Sequence, residues 1–153
     1  MSKVFEDYFS ELQADMISIC LEYAEEKVDR IYIYCSFEEM VISCNFFYRI
    51  NGRVVRKHEL NNAINDEGFR YNTSIARQEA TLDIITDDIK SICNLCKEYK
   101  KEMPTEMKLI YDVKKNSLKA DYKYNLVYSN DEQKTADDIV MEWFEEVKSY
   151  EFC

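Results

Sequence analysis

The side chains of this sequence that could do chemistry are the thiols of Cys93 and Cys96 and the imidazole of His58. The two cysteines have the CxxC spacing of redox and zinc sites, and a histidine can act as a general base. A redox CxxC opens a helix, where the dipole lowers the first thiol's pKa, whereas this pair lies near the end of an apolar helical stripe. A zinc site needs further ligands, and the sequence has no second CxxC and no HxxxH. We therefore expect two buried thiols and no metal or other cofactor.

Other catalytic signatures are weak in this chain. It contains two glycines, so it has no phosphate-cradling loop and no dinucleotide-binding fingerprint. Adjacent carboxylates such as Glu38-Glu39 could form a glycosidase-type pair, but a chain with 30 acidic residues contains such pairs by chance. His58 is the last residue of the basic run 53–58. The ordinary interpretation of such a run is a set of solvated side chains at a strand edge. We expect that the protein is not an enzyme, and the alternative is a metal- or thiol-dependent enzyme that uses these thiols and this imidazole.

Composition and charge narrow the class of protein. The chain has 153 residues, a net charge of −10 and a pI near 4.7, and 14% of its residues are aromatic. The aromatic content excludes disorder over the whole chain, and the length predicts a single domain over residues 1–153. The acid excess argues against direct binding of nucleic-acid phosphates or of an anionic membrane. With no signal-peptide pattern and no apolar run of roughly 18 residues, we expect a cytoplasmic protein whose cysteines are free.

The N-terminal half of the sequence predicts one helix and three strands. Apolar residues at helical spacing over 3–28, with Ser2 as N-cap, predict a long amphipathic helix. Branched and aromatic residues over 31–57 predict a three-stranded antiparallel meander. Its turns are expected at Glu38-Glu39 and at Asn51-Gly52, the latter because a type I′ turn needs positive φ at both central positions.

The C-terminal half predicts two helices and two strands after a polar loop. In order, these elements are a helix from Thr73 or Ser74 to Pro104, strands over 107–113 and 117–128, and a helix from Thr135 to about Tyr150. The resulting order, α-βββ-α-ββ-α, indicates an α+β domain. We expect an antiparallel sheet with the helices packed on one of its faces.

The last predicted helix carries a dense group of acidic residues. Its buried side is expected to consist of Ile139, Val140, Trp143, Val147 and Tyr150. Asp138, Glu142 and Glu145 follow at spacings of four and three, so they share the outer face of the helix. A solvated face is the ordinary interpretation of such a charge run. The sharper interpretation is a negative surface that meets a positive one, such as the phosphate-holding cleft of a nuclease.

Residues 104–146 carry a pattern that is similar to a known protein family. The features are Pro104 after a long helix, Lys108 and Tyr111-Asp112 in one strand, Asn116 in a turn, Asp121-Tyr122 and Tyr124 in a tyrosine-rich strand, and Glu142-Trp143 in a helix. This pattern resembles the YezG-like (EsaG-like) immunity proteins of Gram-positive bacteria. The N-terminal part agrees in its order of elements, with a long helix, then IYIYC, then a strand that ends FFYRI.

The resemblance implies a cytoplasmic antitoxin that binds and neutralises a secreted polymorphic toxin, often a nuclease, and that is not an enzyme. We therefore expect the partner to be a cognate toxin domain of basic charge, blocked at its active site or substrate groove, with no direct nucleic-acid or membrane partner. The oligomeric state is left open, and an adaptor or scaffold without a toxin partner is a further alternative. The residues expected to bind the toxin are Asp137, Asp138, Glu142, Glu145 and Glu146, with Asp112 and Asp121 as a second choice.

Overall fold

The computed structural model describes residues 4–64, 68–129, 131 and 133–151, so that Ser2, the expected N-cap, and Cys153 lie outside the described residues. The elements are α1 (Phe5–Tyr23), β1 (Arg30–Glu38), β2 (Val41–Ile50), β3 (Arg53–Arg56), a 3-10 helix (Lys57–Ala63), α2 (Ile75–Glu98), β4 (Glu106–Asp112), β5 (Ser117–Lys123) and α3 (Ala136–Glu151). This order confirms the predicted α+β domain. The 3-10 helix lies at the start of the polar segment 58–73, for which the sequence favours a loop and allows one short helical turn.

The five strands form one antiparallel sheet in the order β3-β2-β1-β4-β5, with β1 at its centre. Asn51 and Gly52 join β2 to β3 with φ angles of +52° and +77°, which confirms the predicted turn. The turn between β1 and β2 lies one residue later than predicted, at Glu39 and Met40, whose φ angles are +50° and +68°. Glu38 therefore belongs to β1, and it is buried.

Helices cover both faces of the sheet, so the prediction that they share one face was wrong. Helices α1 and α2 pack on the face that carries Ile31 and Ile33. Helix α3 packs on the opposite face, against Tyr32 and Tyr34. The physical reason is the sequence IYIYCSF of β1, which is almost entirely apolar, so that both faces of this strand need cover.

Two helices end earlier than predicted because a left-handed residue follows each of them. Helix α1 ends at Tyr23, and Glu26 (φ +61°) closes the turn by donating its N–H to the carbonyl of residue 21 at 2.8 Å. Helix α2 ends in the same way at Glu98, with Lys100 at φ +55°. Pro104 is therefore not the residue that ends α2.

The remaining boundaries follow from local hydrogen bonds. Ser74 rather than Thr73 caps α2, since its Oγ accepts the N–H of Arg77 at 3.3 Å. Strand β5 ends at Lys123 rather than at residue 128, and the described residues between it and α3 belong to no helix or strand. Within the ranges that the structure describes, no helix is both long enough and apolar enough to cross a membrane.

Candidate functional site

Helix α3 is fixed to the sheet by aromatic side chains. The rings of Trp143 and Phe144 lie edge-on to Phe47 of β2, with centroid distances of 5.1 Å and 5.2 Å. Phe144 is 2% exposed, whereas Tyr150 is 66% exposed and donates its hydroxyl to Glu146. The expected buried side is thus correct except for Tyr150, and Phe144, which the sequence analysis omitted, belongs to it.

The side of α3 that points away from the sheet is acidic. Its exposed carboxylates are Asp137, Asp138, Glu142, Glu145 and Glu146. Lys148 is the one basic residue in the sequence of α3. The five acids predicted to bind the partner therefore share the exposed side of one helix, whose position is set by its aromatic packing.

The carboxylates of α3 have partners within the chain, but these partners are mostly exposed as well. Glu142 lies 2.8 Å from Nζ of Lys134, and Glu145 lies 3.7 Å from a guanidinium nitrogen of Arg56. Ion pairs between exposed groups contribute about 0–1 kcal/mol, so a basic partner can replace them at little cost. Asp138 differs from the other four because its carboxylate caps the first turn of α3.

Asp112 of β4 and Asp121 of β5 lie on the same face of the sheet as α3. Asp112 accepts the N–H of Lys115 at 3.0 Å and lies 3.5 Å from Nε of Arg30. The hydrogen bond from the Lys115 N–H is the main cause that lowers the pKa of Asp112, and the Arg30 guanidinium lowers this pKa further. The Asp112 carboxylate is therefore kept ionised by groups of its own chain. Asp121 is exposed and stands opposite Lys108 in the β4–β5 ladder.

A cleft of about 350 Å³ separates α3 from the chain that follows β3. Arg56, Lys57 and His58 line one side of it, and Asp137 and Phe144 line the other. Nζ of Lys57 donates to Oδ1 of a neighbouring asparagine at 2.7 Å, and burial lowers the pKa of this ammonium group. The acidic side of α3 is therefore bordered by a cleft with one basic wall, formed by residues that were predicted to be a solvated strand end.

The structure places the sequence-selected thiols and imidazole on different faces of the sheet. His58 lines the cleft beside α3, whereas Cys96 is buried in the core under α1 and α2, and Cys93 is half-buried beside it on α2. Burial raises the pKa of Cys96, and it raises the pKa of Cys20 and of Cys35 well above the ordinary value. Among the described residues, no three His, Cys, Asp or Glu side chains are grouped so that they could hold a metal ion.

Two buried carboxylates, Glu38 and Glu106, were missed by the sequence analysis. Each is 2% exposed. Glu38 accepts the backbone N–H groups of residues 127, 128 and 129 at 3.1, 3.4 and 3.1 Å, so it fixes these three residues after β5. Glu106 accepts the hydroxyl of Tyr34 at 3.3 Å and lies 3.6 Å from Nζ of Lys123. Lys108, two residues along β4, also lies 3.8 Å from Glu106. The other groups that compensate the burial of these two carboxylates come from distant parts of the chain, so no sequence signal distinguished them.

Comparison of the chain with protein-family models finds no match, and comparison with curated proteins finds none either.

Proposed function

We propose that this protein is a cytoplasmic immunity protein, which binds and neutralises a cognate toxin domain through the acidic side of α3. The observation that carries the proposal is the exposure of five carboxylates on this helix beside a single lysine. Such a surface repels anionic partners and attracts a basic one. The pattern over residues 104–146 that resembles the YezG-like immunity proteins points to the same partner class.

The chemistry of this surface fits a nuclease domain as the toxin. A nuclease holds its phosphate backbone with lysine and arginine side chains, so its substrate groove has a positive potential. A helix that presents carboxylates can occupy such a groove and exclude the nucleic acid. Charge complementarity also raises the rate of association and disfavours wrong partners, which suits an inhibitor that must act before the toxin does.

The packing of α3 supports this role because it keeps the carboxylates in place. Trp143 and Phe144 are buried against the sheet, and Glu38 holds residues 127–129, which precede the helix in the chain. A surface that is already ordered loses less conformational entropy on binding than a flexible one. The acids are therefore presented on a rigid platform, although the glutamate side chains themselves can still adapt.

The test is co-expression of this protein with the toxin domain encoded beside its gene, followed by calorimetric titration of the two purified proteins. The proposal predicts a stoichiometric complex with nanomolar affinity and loss of the toxin's nuclease activity within it. Binding that weakens steeply with added salt is expected as well, since the contact is electrostatic. A toxin domain that stays active and does not bind at stoichiometric concentration would overturn the proposal.

A further inference from the structure

The outer edge of β5 is open to pairing with another strand. Within the described residues, β5 is hydrogen-bonded to β4 alone and forms one edge of the sheet. All of its residues except Ala120 are exposed, and its apolar side chains Leu118 and Tyr122 are 42% and 37% exposed. A sheet edge presents unpaired backbone N–H and C=O groups, which makes it a template for an incoming strand.

The sequence of β5 is complementary to itself in an antiparallel arrangement. If two copies of Ser117–Lys123 pair about a two-fold axis at Ala120, Leu118 of each copy stands opposite Tyr122 of the other. On the other face, Lys119 of each copy then stands opposite Asp121 of the other. The arrangement thus pairs apolar with apolar and cation with anion on both sides of the axis.

The charges on β5 also select this register. If the second copy were shifted by one residue, its Leu118 and Tyr122 would lie on the face of the joined sheet opposite to those of the first copy, since side chains alternate along a strand. A shift by two residues would place Lys119 opposite Lys119 in one direction, or Asp121 opposite Asp121 in the other. Like charges directly opposite each other destabilise a strand pair. The register centred on Ala120 is therefore the one in which the charged pairs are favourable.

The side chains on and around β5 allow a second strand to approach this edge closely. Tyr122 is held by Nε2 of Gln13, which donates to its hydroxyl at 2.6 Å, and its ring packs edge-on to Phe9 with a centroid distance of 5.8 Å. The small side chain of Ala120 leaves room at the axis. Lysine on an edge strand usually discourages pairing, but here Asp121 of the second copy would neutralise Lys119.

We propose that the partner of this edge is a second copy of the chain, so that the protein forms a two-fold homodimer through β5. The two five-stranded sheets then continue into one sheet, with the two α3 helices on the same face of it. The charge pattern of β5 carries this inference, and it does not depend on the toxin partner.

The test uses sedimentation equilibrium of the full-length protein from micromolar to sub-millimolar concentration, without any partner. Wild-type protein is expected to dimerise. Lys119→Asp places aspartate opposite Asp121 of the second copy and is expected to weaken dimerisation by roughly tenfold or more. Combining Lys119→Asp with Asp121→Lys restores opposite charges across the axis and should recover part of the affinity, since the new lysine also stands opposite Lys108 of its own β4. Lys114→Asp, in the exposed β4–β5 turn, makes the same change in charge outside the strand and should have no effect.

Three results would overturn the dimer proposal. The first is a wild-type protein that stays monomeric at every concentration. The second is a dimer that Lys119→Asp leaves as stable as Lys114→Asp does. The third is a double variant that dissociates as readily as Lys119→Asp while its circular dichroism spectrum shows a native fold.

Discussion

Thr135 and Asp138 cap the first turn of α3 reciprocally. The Asp138 carboxylate accepts the backbone N–H of Thr135 at 2.9 Å, and Oγ1 of Thr135 accepts the N–H of Asp138 at 3.3 Å. This is a capping box, which satisfies backbone donors that the helix itself cannot pair. Asp138 therefore has a structural role, and reversing its charge would disturb the helix as well as any binding surface.

Replacing Asp138 with alanine is expected to destabilise the protein by about 1 kcal/mol, because the capping hydrogen bonds are lost. Asp137→Ala is the matched control, since it removes an exposed carboxylate from the same turn that does not make these bonds. Urea denaturation of both variants gives the comparison. An equal loss in the free energy of unfolding for the two variants would mean that the interaction of the carboxylate with the helix dipole, and not the cap, accounts for the effect.

Replacing Glu38 with glutamine is expected to destabilise the protein by about 1–3 kcal/mol, because a buried charged acceptor of backbone N–H groups becomes a neutral one. Glu39→Gln is the control, since Glu39 is exposed in the adjoining turn. Limited proteolysis should detect faster cleavage in residues 124–129 of the Glu38 variant. A Glu38 variant as stable and as resistant as the Glu39 variant would show that this carboxylate does not fix the segment.

Stability is expected to fall as the pH rises from about 5 to about 8, because of the carboxyl pair between α1 and α2. Asp88 is 8% exposed, and burial together with a hydrogen bond to Asp15 raises its pKa to about 8. The folded state therefore keeps a proton that the unfolded state releases near pH 4. Each such proton changes the free energy of unfolding by at most about 1.4 kcal/mol per pH unit.

Asp88→Asn removes this titration and is expected to flatten the decline of stability between pH 5 and pH 8, relative to the wild type. The variant should also be the more stable protein at pH 8, since asparagine can hydrogen-bond to Asp15 without a buried charge. Asp83→Asn, at an exposed position of the same helix whose charge does not contribute to the raised pKa of Asp88, is the control and should leave the slope unchanged. Parallel pH profiles for the Asp88 variant and the wild type would refute the assignment.

Local sequence signals predicted the elements of the fold but not how they are layered. Asn51-Gly52 fixes its own turn, and Ser74 caps its own helix, because these effects act within a few residues. The sequence IYIYCSF indicates that both faces of β1 need cover, but it does not say which elements provide it, since such a strand can be covered by any of the helices or by another chain. The early end of α1 was missed because Glu26 is an uncommon residue in the left-handed region.

The candidate site was predictable in its composition but not in its contacts. Helical spacing placed Glu142 and Glu145 on the exposed side of α3, because exposure depends on the period of the helix alone. The capping role of Asp138 and the pairing of Glu145 with Arg56 depend on geometry and on distant segments. Buried Glu38 is the extreme case, because its partners lie almost ninety residues further along the chain.

The most direct test of the account is the affinity of a Glu142→Lys and Glu145→Lys double variant for the cognate toxin domain. Both residues are exposed on α3, and neither takes part in the cap that Asp138 forms. Asp83→Lys with Asp87→Lys is the matched control, since it makes the same change in net charge on exposed positions of α2, on the opposite side of the sheet. Thermal unfolding checks that both variants are folded.

The α3 double variant is expected to bind the toxin at least roughly tenfold more weakly than the α2 control and to protect poorly against its nuclease activity. A slower association rate is expected to account for part of the loss, and added salt should reduce the difference. Equal affinity of the two folded double variants would contradict the claim that the acidic side of α3 is the surface that binds the toxin.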